Sequence, residues 1–434
     1  MTGDIFIVTA DSLRADHCGW HDETDRTDLT PTLDALAEDS LTYTAAVSPG
    51  PRTPSSIAVS HTGVPFAQTH SDVSDYGNRT ARVKDHIERF ETISEWLQEQ
   101  GYTTIAFTAN PWTTVETSFD TGFDEFTEVG KTGGNIHAPF SGTRFGSIAK
   151  RFDQWVHKDS YFSQWRTFYD EIEAAIDRVD GPMFLWTFLL DTHNPYLVPR
   201  HDREETSAYT MWSAMFKANN MPGQKTRERT ARKASGEEAT EDTIQQAYRD
   251  CVRSVDTFVD RLWSEADEDS VLVFYSDHGE AFGEHDTYGH EPVLYEENIH
   301  VPVLIHDGET DATVTDPLST VELPDIVREL ATDETLDPTE WTTEYAASRT
   351  EDDKSIALRG ERWKYIRTED GEELYDLIAD PGEADDRREA KPDVLSRLRS
   401  ECDDYIDSLP DPTTTSEQIE DDRMKDHLQD LGYL

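Results

Sequence analysis

The chain has 434 residues, a formal net charge of −51 at pH 7 and only 35% apolar residues. Its 10 Trp, 18 Phe and 16 Tyr recur in well-patterned segments, which excludes a disordered chain because such chains are poor in aromatic residues. The negative charge excludes nucleic acid as an expected partner, since the chain would repel the phosphates.

Short apolar runs alternate with helical patterns along the first two thirds of the chain. Strands are predicted at residues 5–8, 103–108, 183–190 and 271–275, and helices at 31–40, 87–100 and 243–263. In the last of these helices, the spacing of the apolar residues puts them on one face: Tyr248, Val252, Val255, Phe258 and Val259. This alternation predicts an α/β fold with a doubly wound, mostly parallel sheet flanked by helices.

Two segments depart from this pattern. Residues 200–241 are polar and basic, and they predict an exposed insertion, either a surface segment or a cover that meets an anionic substrate. After residue 305, a helix at 324–331 and strands at 355–359, 363–367 and 373–377 predict a small antiparallel α+β subdomain that ends in an acidic tail. We therefore expect a catalytic domain at 1–320 and a C-terminal subdomain at 321–434.

The cysteines and the N-terminus bear on the compartment. Cys18, Cys251 and Cys402 form no CxxC pair, so neither a disulfide framework nor a zinc ribbon is expected. The N-terminus lacks the basic and apolar regions of a signal peptide, and the chain has no run of about 18 apolar residues. We expect a cytoplasmic protein without a membrane partner, in a high-salt cell that screens its acidic surface. The oligomeric state stays open.

Acids and histidines follow three of the predicted strands. Asp11 follows the first strand, Asp191 and His193 follow the strand at 183–190, and Asp277 and His278 follow the strand at 271–275. The carboxyl ends of parallel strands meet at one edge of a sheet, where ligands bind. Carboxylates mixed with imidazole suit one divalent ion, such as Ca, Mg, Mn or Zn. A single Asp-His pair is more typical of a hydrogen-bonded pair, so the convergence carries the prediction.

The motifs also resemble a known family, the sulfatases of the alkaline phosphatase superfamily, in a haloarchaeal type with threonine at the nucleophile position. The matching segments cover nearly the whole chain: 7–14, 30–37, Thr53 with 62–63, 122–124, 191–196, 276–280, 295–302, 373–377 and 380–383.

The resemblance implies roles for individual residues. Asp11, Asp277 and His278 match the family's metal ligands, and Thr53 falls at the nucleophile position, where it would also coordinate the cation. A metal-activated hydroxyl there would attack sulfur or phosphorus and form a covalent intermediate that water hydrolyses. The alternative is that Thr53 merely caps a helix that begins near Ser55, and both roles are compatible.

Three further residues have expected roles at the substrate. His193 would bind a non-bridging oxygen and His290 would protonate the leaving oxygen, although either histidine could instead be structural. Arg52 would neutralise substrate charge or point to solvent.

Three positions depart from the usual sulfatase pattern. Residues 53–57 replace the Cys-x-Pro-Ser-Arg element, so formylglycine cannot form and the supporting arginine is absent. Ser12 replaces a second aspartate. Residues 109–111 replace Lys-Trp-His, and Asn110 would instead donate a hydrogen bond to a developing oxyanion.

These features predict a metal-dependent hydrolase of sulfate esters or phosphodiesters, acting on small molecules or glycans. One alternative is a two-metal phosphodiesterase, phosphomonoesterase or phosphotransferase, with a second ion held by Asp191, His193 and His290. Another is a non-catalytic member of the superfamily that binds anionic glycans.

Overall fold

The computed structural model describes residues 3–21, 28–69, 76–129, 164–194, 196–198, 200–207, 209–210, 238–332 and 336–411. Eight strands form its central sheet. In order across the sheet they are β11 (Ala312–Val314), β2 (Leu41–Tyr43), β10 (Val303–His306), β7 (Val271–Ser276), β1 (Ile5–Ala10), β6 (Met183–Leu189), β4 (Thr103–Thr108) and β5 (Glu125–Glu128). Only β10 runs antiparallel to its neighbours, so the prediction of a mostly parallel sheet is confirmed.

Helices cover both faces of this sheet, as the doubly wound fold requires. Side chains alternate along β1, so that Ile5 and Ile7 face one layer while Phe6 and Val8 face the other. The first layer contains α2 (Thr53–Thr62), α3 (Tyr76–Arg89), α4 (Ile93–Glu99) and α8 (Leu323–Ala331). The second contains α1 (Pro31–Ala37), α5 (Tyr169–Arg178) and α6 (Glu238–Trp263), whose predicted apolar face is fully buried.

The predicted helix at 87–100 was wrong, because two helices occupy this stretch. Thr92 ends the continuity: its hydroxyl accepts a 3.2 Å hydrogen bond from the backbone N–H of Glu95, whose carboxylate accepts one of 2.9 Å from the Thr92 N–H. This reciprocal capping box begins α4, and helical periodicity alone does not reveal it. The helix predicted from 243 begins at Glu238, and most of the predicted insertion, residues 211–237, lies outside the described residues.

A four-stranded antiparallel sheet follows near the C-terminus. Its strands are β13 (Ala346–Arg349), β14 (Ile356–Arg359), β15 (Trp363–Thr368) and β16 (Gly371–Asp376), and α9 (Pro392–Ser408) packs on one face. The three predicted strands are confirmed, whereas β13 and α9 were not foreseen. The boundary at residue 320 stays a prediction.

The remaining short elements lie near the ends of the central strands. They are β3 (Ala46–Val47), which pairs with β12 (Leu318–Ser319), the hairpin of β8 (Ala281–Phe282) and β9 (Tyr288–Gly289), and α7 (Glu296–Ile299). Of the helices that the structure describes, none has the length and apolar character needed to cross a membrane.

Candidate metal centre and nucleophile

Four adjacent parallel strands deliver polar side chains to one edge of the sheet. Asp11 follows β1, Asn110 lies two residues beyond β4, His193 lies beyond β6, and Asp277 and His278 follow β7 directly. Since β7, β1, β6 and β4 are neighbours in that order, these side chains meet at their carboxyl ends. The predicted convergence at this edge is therefore confirmed.

Asp11, Asp277 and His278 form a compact, fully buried trio. The Nε2 atom of His278 lies 3.6 Å from Asp11 Oδ1 and 3.5 Å from Asp277 Oδ2. One potential ligand atom from each residue falls within 4.8 Å of the others, and no second such trio occurs among the residues described by the structure. Two carboxylates and one imidazole make a donor set suited to a hard or borderline divalent cation.

The protonation of His278 fits metal binding. Its Nδ1 lies 2.8 Å from the carbonyl oxygen of Gly279, which can only accept, so Nδ1 carries the proton and the lone pair of Nε2 faces the carboxylates. Burial lowers the pKa of His278 to about 4, which keeps the ring neutral. Burial and the nearby Asp11 raise the pKa of Asp277, whose buried Oδ2 has no hydrogen-bond partner. A cation would satisfy this oxygen and offset the repulsion, so the residues fit the metal.

Neighbouring groups fix the two carboxylates. The Ser12 hydroxyl donates a 2.7 Å hydrogen bond to Asp11 Oδ1, and the Ser12 N–H donates one of 3.2 Å to Asp277 Oδ1. Asn110 Nδ2 donates one of 2.6 Å to Asp11 Oδ2. Ser12 adopts a left-handed backbone with φ of 60°, which aims both of its donors at the site. The serine that replaces an aspartate thus bridges the trio rather than completing its ligand set.

Thr53 is the first residue of α2, and Arg52 is the N-cap. The alternative that Thr53 caps a helix beginning near Ser55 was therefore wrong. Its hydroxyl oxygen lies 3.3 Å from His278 Nε2 and 3.5 Å from Asn110 Nδ2. The helix N-terminus carries partial positive charge, so Thr53 stands where an anionic group is favoured.

Arg52 does not simply point to solvent. Its Nε donates a 2.7 Å hydrogen bond to the carbonyl of His290, and its Nη atoms lie 3.8 Å from carboxylate oxygens of Glu291 and Glu351. Arg52 therefore stands beside the site with its charge shared between two acids.

The rings of His193 and His290 lie together beside the trio. Their ring centroids are 5.0 Å apart, and the His290 ring is 5.1 Å from that of His278. The Nδ1–H of His193 donates a 2.6 Å hydrogen bond to the Asn194 carbonyl, which leaves Nε2 as its other functional atom. Burial, together with the neighbouring His193, His278 and Arg52, holds the pKa of His290 well below its usual range.

Asp191 does not join these histidines. Its carboxylate accepts hydrogen bonds from the backbone N–H of Trp165 at 3.2 Å and from the Ser254 hydroxyl at 3.4 Å. Burial raises its pKa to about 7. Among the described residues, the donor set predicted for a second metal, Asp191 with His193 and His290, forms no trio of potential ligands, because Asp191 is directed at these two groups.

A model of the sulfatase family matches residues 4–331. The chain belongs to the sulfatase family. It is a hydrolase of the alkaline phosphatase superfamily. Members of the sulfatase family depend on a metal ion. No curated protein matches this chain in sequence.

Solved structures share the fold of this sulfatase-family chain at low sequence identity. The phosphonate monoester hydrolase of Agrobacterium radiobacter is 17% identical, with a TM-score of 0.68 over 94% of this chain and 95% of that one. A 2-O GAG sulfatase is 18% identical, with a TM-score of 0.63 over 98% and 96%. A protein in complex with its substrate D-glucosamine-2-N,6-O-disulfate is 14% identical, with a TM-score of 0.63 over 95% and 100%.

Sequence reasoning assigned no role to Glu280, which lies buried beside the candidate site. Its side chain is 0% exposed, and its Oε2 lies 3.5 Å from Nδ1 of His290. Burial and the nearby Asp11 raise its pKa to about 8. A usable signal was present, because Glu280 and His290 flank the short segment 281–289 that folds as the β8–β9 hairpin.

Proposed function

We propose that this sulfatase-family chain hydrolyses sulfate esters, or phosphodiesters, with Thr53 as its nucleophile. The supporting observation is the position of the Thr53 hydroxyl, 3.3 Å from the Nε2 atom of His278, which itself faces Asp11 and Asp277. A capping threonine would not need to meet a buried carboxylate-imidazole trio.

Asp11, Asp277 and His278 would hold one divalent cation, Ca, Mg, Mn or Zn, and Thr53 Oγ1 stands beside them as a fourth ligand. When bound, such a cation lowers the pKa of a coordinated hydroxyl and polarises an ester oxygen. Ser12 and Asn110 hold the carboxylates in place for it.

The remaining groups divide the transfer step between them. Thr53 first loses its hydroxyl proton to solvent, and its Oγ1 then attacks the sulfur or phosphorus in line, so that a new bond to Thr53 forms as the bond to the leaving oxygen breaks. Asn110 Nδ2 and the N-terminus of α2 stabilise the negative charge, and His193 binds a non-bridging oxygen. His290 gives a proton to the leaving oxygen. Water then attacks the same sulfur or phosphorus, gives a proton back to His290, and the bond to Thr53 Oγ1 breaks.

The charges around the site favour a monoanionic ester. Arg52 stands beside the site, but Glu291 and Glu351 lie 3.8 Å from its Nη atoms and offset its charge. A sulfate ester or a phosphodiester carries one negative charge, whereas a phosphate monoester carries close to two and calls for more positive charge. We therefore place small-molecule or glycan sulfates first and phosphodiesters second. Thr53 itself supports the phosphodiesters, because it occupies the position at which most sulfatases carry formylglycine.

The test compares wild type, Thr53→Ala and Thr53→Ser on p-nitrophenyl sulfate, p-nitrophenyl phosphate and bis-p-nitrophenyl phosphate. Assays run in high salt with Mg, Ca, Mn or Zn supplied separately. We expect turnover in wild type, partial turnover in Thr53→Ser and a loss of about 10³-fold or more in Thr53→Ala, as for removal of other nucleophiles. Unchanged turnover in Thr53→Ala would refute the proposal, and a wild type that binds sulfated glycans without turnover would favour the non-catalytic alternative.

A further inference from the structure

The loop that follows β1 passes through a left-handed residue at the candidate metal centre. Ser12 has a φ of 60°, a conformation that residues other than glycine keep only when their surroundings impose it. Ser12 is also the residue whose hydroxyl and backbone N–H donate hydrogen bonds to Asp11 and Asp277. The contacts that impose the left-handed turn therefore also set the relative position of the two carboxylates.

The phenol of Tyr248 closes this turn. Tyr248 lies on α6, and its hydroxyl donates a 2.8 Å hydrogen bond to the carbonyl of Ser12. The same oxygen accepts a 3.0 Å hydrogen bond from the backbone N–H of Arg14. Because a carbonyl can only accept and an amide N–H can only donate, this one hydroxyl satisfies both backbone groups and joins residue 12 to residue 14.

The ring of Tyr248 is itself held in place. Its side chain is 0% exposed and lies among three other rings. The ring centroid is 4.8 Å from that of Phe282, 5.0 Å from that of His17 and 5.5 Å from that of Tyr196, each in an edge-to-face arrangement. Such contacts fix the plane of an aromatic ring as well as its depth. The hydroxyl of Tyr248 is therefore a fixed point against which the loop is held.

Two further hydroxyls hold the same loop to the sheet. Thr192, which follows β6, donates a 2.6 Å hydrogen bond to the carbonyl of Asp11. Ser276, the last residue of β7, accepts one of 2.8 Å from the backbone N–H of Leu13. Of these three hydroxyls, that of Tyr248 comes from the helical layer. It thus fixes the loop to α6, whereas the other two fix it to the neighbouring strands.

We propose that Tyr248 is a positioning residue of the metal centre. It holds Ser12 in the left-handed turn, so that the hydroxyl and N–H of Ser12 keep Asp11 and Asp277 at the spacing that one cation requires. The inference rests on the proposed function only for the cation, since neither Thr53 nor the ester enters it. The phenol bonds backbone groups of the loop and no carboxylate of the trio, so its effect on the cation passes through Ser12.

The test titrates the metal-free protein with Ca, Mg, Mn or Zn alone, in high salt, by isothermal calorimetry. Tyr248→Phe keeps the ring and removes the oxygen, so that the Ser12 carbonyl and the Arg14 N–H lose their common partner. We expect its dissociation constant for the metal to rise by about 10- to 100-fold, the usual cost of losing an outer-shell partner. An affinity equal to that of wild type in folded Tyr248→Phe would overturn the proposal.

The matched control is Tyr43→Phe. Tyr43 is also 0% exposed, and its hydroxyl donates a 3.1 Å hydrogen bond to the carbonyl of Pro338. This variant loses the same phenol oxygen and a bond to a backbone carbonyl, so it should lose stability in urea while it keeps the metal affinity of wild type. Equal losses of metal affinity in the two variants would mean that Tyr248 supports the fold in general, and the positioning role would be wrong.

Ser12→Ala tests the last link, whether or not Tyr248→Phe folds. It removes the hydroxyl that bonds Asp11 and leaves the residue 12 carbonyl for Tyr248. We expect its metal dissociation constant to rise by about 10-fold or more. The double variant should lose less than the product of the two single losses, because both changes act along one path. Wild-type affinity in Ser12→Ala, or losses that multiply, would contradict an effect that passes through Ser12.

Metal titration also separates this proposal from the proposed function. Weaker metal binding in Tyr248→Phe, together with a wild type that turns over no ester, would leave the positioning role standing and sink ester hydrolysis. Equal metal affinity in Tyr248→Phe and wild type, together with turnover that is lost in Thr53→Ala, would sink the positioning role and leave the proposed function standing.

Discussion

The side-chain amide of Asn110 joins Asp11, to which it donates a hydrogen bond of 2.6 Å, and it lies 3.5 Å from the hydroxyl oxygen of Thr53. Asn110 is itself held, because its Oδ1 accepts a 2.8 Å hydrogen bond from the backbone N–H of Trp112. One amide thus orients a candidate metal ligand and reaches the candidate nucleophile. Asn110 stands where many sulfatases carry a cationic sulfate contact, and here its amide orients a residue of the candidate metal centre.

Replacing Asn110 should therefore weaken both metal binding and turnover. We expect Asn110→Ala to lower metal affinity or kcat/KM by about 10- to 100-fold, the usual cost of removing an outer-shell partner. Isothermal titration of the metal-free protein and ester assays measure the two effects. Asn110→Asp keeps the acceptor for Trp112 but has no amide to donate, so it should also lose turnover. Full turnover in both variants would contradict this role.

Much of this centre follows from local sequence. Short apolar runs predict buried parallel strands, and parallel strands bring the residues that follow them to one edge, which is why Asp11, Asp277 and His278 could be grouped in advance. The direction in which a loop side chain points could not be predicted in the same way. Asp191 and His193 are two residues apart on one loop, yet Asp191 turns to Trp165 and Ser254, because tertiary neighbours rather than spacing decide where a loop side chain points.

The backbone of Gly279 lies very close to the backbone of Glu297, beside the candidate metal centre. A Cβ at this position would lie 2.2 Å from the carbonyl oxygen of Glu297, and the Gly279 N–H donates a 2.9 Å hydrogen bond to the carbonyl of Asn298. Gly279→Ala should displace the loop that carries His278 and destabilise the fold by about 1–3 kcal/mol, as overpacking does. Urea unfolding and metal titration measure the change. Gly382→Ala is the control, since no atom lies within 4 Å of its added Cβ. Equal effects of the two variants would count against a steric cause.

Lys364 of β15 makes two buried ion pairs, one with Glu296 of α7 and one with Glu383, which follows β16. Its Nζ lies 2.9 Å from Glu296 Oε1 and 2.8 Å from Glu383 Oε1, and the side chain is 0% exposed. Lys364→Met should lower the free energy of unfolding by about 3–5 kcal/mol, because it removes the ammonium from between two buried carboxylates, although Glu296 keeps Arg359 at 3.3 Å.

The control for Lys364→Met is Lys354→Met, whose ammonium pairs with Glu369 at 3.4 Å on the surface and contributes little. Urea unfolding of both variants at one fixed salt concentration gives the comparison. If Lys364→Met lowers the free energy of unfolding by less than Lys354→Met does, the buried ion pairs do not stabilise the sheet.

The buried pairing at Lys364 also marks a limit of sequence reasoning. The alternation in residues 355–377 predicts three strands, and these form as expected. The edge strand β13 and the helix α9, which covers one face of the sheet, were missed. Leu398 and Cys402 of α9 pack against Tyr365, and this long-range partner cannot be read from the helix's own spacing.

His61 should make the protein sensitive to acid. Its ring is buried against Trp186, with centroids 4.2 Å apart, and burial lowers its pKa to about 4. The unfolded chain, with a histidine pKa near 6.5, then binds more protons than the folded one. The free energy of unfolding should accordingly fall as pH falls from about 6.5 towards 4, by roughly 1–2 kcal/mol for this residue between pH 7 and 5.

Urea unfolding at pH 7, 6 and 5 in constant salt measures this slope for wild type and for His61→Gln, whose side chain does not titrate. The variant is expected to be less stable at pH 7 but to lose less stability on acidification. A parallel loss in the two proteins would mean that His61 is protonated as readily in the fold as out of it.

The acidic surface should make stability depend on salt. With a net charge of −51, the folded chain repels itself, and the screening length shrinks from about 10 Å at 0.1 M salt to about 3 Å at 1 M. We expect the thermal midpoint followed by circular dichroism to rise steadily with KCl from 0.1 to 2 M, and the fold to be lost on dialysis into low salt. Sucrose serves as the control, because it favours burial without screening charge. The repulsion is spread over the whole surface, so removing any single charge should not raise the thermal midpoint as much as KCl does. A midpoint independent of KCl would show that the acidic surface is tolerated without salt.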